Sequence, residues 1–222
     1  MILALLFPQF APNLYDLSVM IQADRLILQD LERWSRKSRT HRAKIRVPNG
    51  TQWINIPIRT EDRKKAIKDV RMDHSEDWVT PLLRTIEYNY RNSIYYDFYE
   101  PEIKADFQSA YDYTSLLDFI LFIQERLLSF MEVEIEYVLS SDLADYTSNP
   151  DELGRQLGVD TLLQEYDSRH YQRRAEDYNS TIDFEHPKYH QHFDGFEPWC
   201  SILDILFQFG PESFRITDQL KG

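Results

Sequence analysis

Two short apolar runs flanking a helical pattern constrain this chain more than any other feature. Residues 2–7 are apolar throughout and end at Pro8, residues 13–22 place Leu14, Leu17, Met20 and Ile21 at helical spacing, and residues 25–28 are again strand-like. Strand, helix and strand in so short a span predict a βαβ unit with parallel strands. Gln9 then lies just past the C-terminal end of the first strand and Asp30 just past the second, where open α/β sheets place their ligand crevice.

The rest of the pattern extends this frame. Residues 45–47 and 53–58 flank Pro48-Asn49-Gly50, a hairpin signal because Asn-Gly tolerates positive φ, and an antiparallel addition to the sheet is expected there. Thr80 and Pro81 open a helix expected to reach about Asn92, Thr114 or Ser115 opens a core helix over 116–130, and residues 134–139 read as a strand. Asn149-Pro150 starts and Gly158 stops a further helix before a strand over 159–163, a second βαβ unit. Ser201 caps the last helix, with Asp204 as a capping-box variant and Gly210-Pro211 as its stop. No Gly-Pro-Ser linker or repeat divides the chain. The expected fold is therefore one α/β domain over 1–222, with a mixed, largely parallel central sheet flanked by helices and an antiparallel hairpin addition.

With 42% hydrophobic and 14% aromatic residues, the chain can bury a substantial core. The dense aromatics from Tyr88 to Tyr99 serve either that core or a carbohydrate or base platform. The N-terminus lacks a basic segment and a cleavage site, and the apolar stretch at 116–130 is interrupted by Asp118, Gln124, Glu125 and Arg126, so neither an export signal nor a membrane span is expected. The single cysteine, Cys200, cannot form an internal disulfide and points to a reducing compartment, with cytoplasm the expected location.

Net charge is −12 with a pI near 4.9, which argues against nucleic acid as a partner. The mean conceals a division. Residues 1–71 carry 14 basic and 7 acidic side chains, whereas residues 72–222 carry 11 and 30. Arg33, Arg36, Lys37, Arg39, Arg42, Lys44 and Arg46 put seven cations into fourteen residues without an acid. Such a run is either a solvated face that pairs with the acidic remainder or an anion pocket for phosphate, nucleotide or carboxylate. Trp34 within it either stacks a ring or anchors the segment to the core.

No phosphate-binding glycine loop, zincin helix or nucleophile elbow is present. His186, His190 and His192 have a spacing that invites a metal, yet Pro187 breaks a helix through them and a strand would leave His186 on the other face, so no metal is assigned. Ser140-Ser141-Asp142 reads as turn chemistry, and Cys200 beside Trp199 as packing.

Taken in order, these residues resemble the WbqC-like family. The resemblance is carried by Pro8-Gln9-Phe10, Ala23-Asp24, Asp30, the basic stretch around Arg42, Asn49-Gly50 with Trp53 and Ile56-Pro57, and Ile86 to Tyr90. The second half agrees through Leu139 to Leu143, Leu157-Gly158, His186-Pro187 with Tyr189 and Gln191, and Ser201 to Phe207 with Gly210-Pro211-Glu212. The chain departs from the family pattern at Pro8-Gln9-Phe10, at His41-Arg42-Ala43, and over residues 164–170, where a glycine-containing segment is usual.

The resemblance implies a bacterial cell-surface polysaccharide (O-antigen) biosynthesis protein, a transferase acting on a nucleotide-activated sugar or acyl donor. The alternative is a non-catalytic binding or assembly protein on the same fold. On the first reading, Gln9, Arg36, Lys37, Arg42, Tyr189 and Gln191 bind a small anionic substrate, with Arg42 as the anion clamp and Asp30 or His186 as acid/base. No cofactor or metal is implied.

Overall fold

The computed structural model describes residues 1–166 and 172–221. The expected βαβ unit forms from β1 (Ile2–Leu6), α1 (Leu14–Gln22) and β2 (Arg25–Leu28). β1 pairs in parallel with β2 on one side and with β6 (Thr161–Gln164) on the other, while β5 (Val138–Leu139) extends β2, giving the order β5-β2-β1-β6. The second βαβ unit thus straddles the first, with its strands at opposite edges. Of the strand expected over 134–139, only the last two residues pair.

β1 alternates between two apolar layers, as its period of two requires. Leu3 and Leu5 pack with Ile27, Leu153, Val159 and Leu162, beneath α5 (Pro150–Leu157). Ala4 and Leu6 face the larger core, which holds α1, α4 (Leu116–Phe130) and α6 (Ile202–Phe209) together with α2 (Val79–Tyr90) and α3 (Tyr96–Gln108). Both faces of the parallel sheet are covered, which its all-apolar centre demands.

The hairpin consists of β3 (Arg42–Val47) and β4 (Gly50–Asn55), which among the described residues form a separate two-stranded sheet rather than an addition to the parallel one. Pro48 and Asn49 form its tip, and Gly50 takes the positive φ of 114° that the sequence pattern assigned to the Asn-Gly pair.

Helix ends follow the sequence closely. Ser115 accepts from Asp118 N, and Asn149 from Asp151 N. Thr80 does not cap α2. Its own N–H donates to Asp77 Oδ1 at 3.0 Å, and Asp77 therefore supplies the cap. In the aromatic cluster Tyr90, Tyr96 and Tyr99 are buried, whereas Tyr88 and Phe98 are exposed, so packing accounts for most of it. Residues 172–200 run without helix or strand.

Gly158 ends α5 at φ 64°, with no atom of the described residues within 4 Å of where a Cβ would stand. Gly158→Ala is therefore expected to cost about 1–2 kcal/mol from backbone strain alone, without a steric clash, read as a lower urea midpoint at unchanged slope.

Candidate functional site

Because β1, β2 and β6 are parallel, the segments that follow them emerge at one edge of the sheet. A cavity of about 250 Å³ lies there. Ala11 and Asn13 reach it from the segment after β1, Lys37 and Arg39 from the segment after β2, and Tyr166 from just after β6. The hairpin adds Arg42, Lys44 and Trp53, and the chain entering α6 adds Trp199 and Ser201. The position is that of a switch-point crevice, since β2 and β6 flank β1 on opposite sides.

The cations here are held by different means. Arg42 donates through Nε to Ser38 O at 3.0 Å and through its guanidinium to Lys37 O, and it lies 4.2 Å over the Trp53 ring. Lys44 sits over the same ring at 5.3 Å. Arg39 donates to both oxygens of Asp16, at 2.9 and 3.1 Å, and to Glu165 Oε2 at 3.1 Å. Asp16 and Glu165 are both inaccessible to solvent, and Gln9 Nε2 donates to Asp16 from the same buried layer. Burial pushes the Glu165 carboxyl up to about 7, against the opposing pull of Arg39.

Aromatic rings close the other side. Trp199 and Tyr166 stack at 4.8 Å and 15°, and Trp199 holds a left-handed φ of 69°. His186 supports that conformation. Its Nε2 accepts from Trp199 N at 3.1 Å while its Nδ1 donates to Pro187 O at 2.9 Å, an arrangement that requires the neutral ring. Burial lowers its pKa in the same direction.

The residues nominated from sequence are thus distributed over several environments. Lys37 and Arg42 line the cavity, and Gln9 lies beneath it through Asp16 and Arg39. Arg36 is exposed and does not line it. Asp30 is fully buried at the end of β2, where its Oδ1 accepts from Ser140 Oγ at 2.7 Å and Ser141 N at 2.9 Å, tying β2 to the turn after β5. Tyr189 and Gln191 are buried behind the cavity and donate to Asp204 at 2.9 Å each. Asp204 is not a capping-box residue: its Oδ1 also accepts from Tyr90 at 3.0 Å, and burial raises its pKa. Cys200 is buried, and desolvation pushes its thiol up to about 12, which disfavours the thiolate form. Among the described residues no group of three or more histidine, cysteine or acidic side chains is placed to hold a metal. No helix is long and apolar enough to cross a membrane, again among the described residues.

Sequence reasoning did not single out Asn13, Tyr166, Trp199 or Ser201 for this site, although Ser201 belongs to the C-terminal pattern that carries the resemblance and Trp199 lies two residues before it. The family model for the WbqC-like protein family matches residues 8–216, which takes in every residue lining the cavity. The chain belongs to the WbqC-like protein family. It is also similar to an uncharacterized protein of Mycobacterium tuberculosis, Rv1507c, at 26% identity over 204 residues that cover 86% of each chain. No solved structure matches. Part of segment 164–170, where the chain departs from the family pattern, lies outside the described residues.

The Glu165 shift has a definite sign. A carboxyl whose folded pKa stands above its unfolded value of 4.5 makes the folded state bind more protons, so its contribution to stability falls as pH rises from 4.5 to about 7. Glu165→Gln removes that loss. Its melting temperature relative to the unsubstituted protein is expected to increase between pH 5 and pH 8, and a constant difference across that range would contradict the assignment.

Proposed function

We propose that this WbqC-like protein binds a small anionic, ring-bearing ligand of the nucleotide-activated sugar or acyl class in the cavity at the strand ends, and serves as a transferase in cell-surface polysaccharide (O-antigen) synthesis. The observation that carries the binding part is the meeting of Lys37, Arg42 and Lys44 with Trp53, Tyr166 and Trp199 around one opening. Cations suit the phosphates of such a donor, and the flat rings suit its base or sugar. The transferase part is what the family resemblance implies. Electrostatic stabilisation of a departing phosphate by lysine and arginine is the chemistry that the lining residues can supply.

A second reading, that of a non-catalytic binding or assembly protein, is favoured by one specific observation. The lining residues include no aspartate, glutamate, histidine or cysteine among the described residues, so no side chain in the wall is a ready acid/base. Within the transferase reading, Asp30 and His186 would act through the structure around the cavity, Asp30 by fixing the strand end and His186 by fixing Trp199. Arg36, exposed beside the cavity segment, would contribute to the approach of an anion rather than to its final contacts.

Thermal-shift titration with a panel of nucleotide sugars, free nucleotides and acyl thioesters tests the binding. At least one nucleotide-linked compound is expected to raise the melting temperature, with Arg42→Ala weakening that ligand about tenfold or more, as loss of a charge-assisted contact predicts. Absence of stabilisation by every phosphate-bearing compound would overturn the proposal, and stabilisation indifferent to Arg42→Ala would move the site elsewhere.

A further inference from the structure

Two helices begin at the cavity. Asn13, the N-cap of α1, and Ser201, the N-cap of α6, both line it, and they are joined to each other by an antiparallel bridge. The neighbouring backbone locks this junction, with Ile202 N donating to Pro12 O at 2.9 Å and Ser201 N to Lys44 O at 2.7 Å. The positive ends of two helix dipoles therefore meet at one wall, next to Lys44.

The two caps differ. Asn13 spends its side-chain oxygen on Asp16 N at 2.9 Å, as an N-cap should. Ser201 does not. Its side chain makes no bond to α6, whose first turn is closed instead by Asp204 N donating to Ser201 O. Ser201 is only 1% exposed, and its Oγ, itself inaccessible to solvent, has no hydrogen-bond partner among the described residues. An orphaned hydroxyl in a cavity wall costs stability that the ordinary capping bond would have recovered. Asp204 and Asp16, the acids in the first turns of these helices, do not compete for it. Each is enclosed by its own donors and neither lines the cavity.

We infer that Ser201 Oγ, at the joined N-termini of α1 and α6 and beside Lys44, is the contact point for a phosphoryl group of the ligand, with the ligand's ring lying toward the Trp199 and Tyr166 stack. This rests on the cavity being a ligand site, as proposed above, and deepens it by placing the phosphoryl group at the α6 end rather than at Arg42 alone. Ser201 can donate its hydroxyl hydrogen to a phosphoryl oxygen, and the dipole ends and Lys44 supply charge of the matching sign.

The test uses isothermal titration of UDP, inorganic pyrophosphate and malonate into the unsubstituted protein, Ser201→Ala and Lys44→Ala, with the melting temperature of each variant measured without ligand. Ser201→Ala is expected to melt at or above the unsubstituted protein, since it removes an unpaired hydroxyl and no cap bond, yet to bind UDP and pyrophosphate about tenfold more weakly. Malonate is expected to bind more weakly than pyrophosphate. Pyrophosphate binding equal in Ser201→Ala and unsubstituted protein, but weakened by Lys44→Ala, would overturn the Ser201 assignment while leaving the cavity reading intact. Failure of UDP and pyrophosphate to bind the unsubstituted protein would overturn both. A melting temperature several degrees lower for Ser201→Ala would show the hydroxyl to be structural, and malonate binding as tight as pyrophosphate would overturn the phosphoryl class.

Discussion

The buried carboxylate of Asp204 holds together parts of the molecule that regular hydrogen bonding cannot reach. It accepts from Tyr90 on α2 and from Tyr189 and Gln191 in the irregular chain before α6, and Tyr90 Oη in turn accepts from Arg46 N in the hairpin at 3.0 Å. Gln191 adds a reciprocal pair with the backbone of Glu197, at 3.0 and 2.8 Å. A carboxylate removed from water is costly unless its lone pairs are filled, and here three side-chain donors fill them. The consequence is geometric. A stretch of 29 described residues, 172–200, without helix or strand is unusual inside a compact domain. This one delivers Trp199 and Ser201 to the cavity, and the Asp204 contacts fix the end that does so. Its beginning is fixed separately by Gln164, which exchanges bonds with Arg173 O and Ala175 N, and by Gln172 Nε2 on Leu5 O.

What could be read from the sequence divides along the same line. The first βαβ unit, the hairpin, the caps at Ser115 and Asn149 and the stop at Gly158 were legible, because each depends on residues within a few positions of one another. The crevice at the strand ends was legible for the same reason, since parallel strands dictate where the following segments emerge. Asp204 was not. Three residues after a serine it matches a capping box, and only the distant Tyr90 and the looped-back Tyr189 and Gln191 reveal its other role. Asp77 displaced Thr80 as a cap by a similarly small margin, one acceptor in place of another within the same turn. The hairpin's failure to join the parallel sheet reflects tertiary placement, because Arg46 N and the backbone of Lys44 are committed to Tyr90 and Ser201.

The basic run also resolves into unlike parts. Arg46 is 2% exposed, with its guanidinium donating to backbone carbonyls of Val47, Gly50 and Asp194, so it is a fastener for the hairpin. Arg39 is anchored by two buried carboxylates, and Arg42 by two carbonyls and a ring. Anchored guanidiniums hold fixed directions, whereas the ammonium groups of Lys37 and Lys44 are compact charges on flexible stems. On the proposed function, the excess of acid elsewhere would oppose an extended polyanion while leaving the locally positive opening accessible to a small phosphate ester.

Trp199 stands in the left-handed region of backbone space, where side chains other than glycine are rare. A tryptophan at φ 69° costs about 1–2 kcal/mol relative to a glycine, which would adopt this conformation freely, and it persists only where its surroundings hold it. The surroundings over-determine that strained turn. His186 accepts from Trp199 N, Cys200 Sγ lies 3.6 Å from Glu197 O, and Tyr15, Phe184 and Tyr166 pack around the indole at centroid separations of 6.3, 6.0 and 4.8 Å. None of that packing requires the ring to form a cavity wall, yet it does. Strain at Trp199 and a hydroxyl at Ser201 without a partner among the described residues thus stand two positions apart in the same cavity wall, held there by the packing of the indole and by the joined ends of α1 and α6.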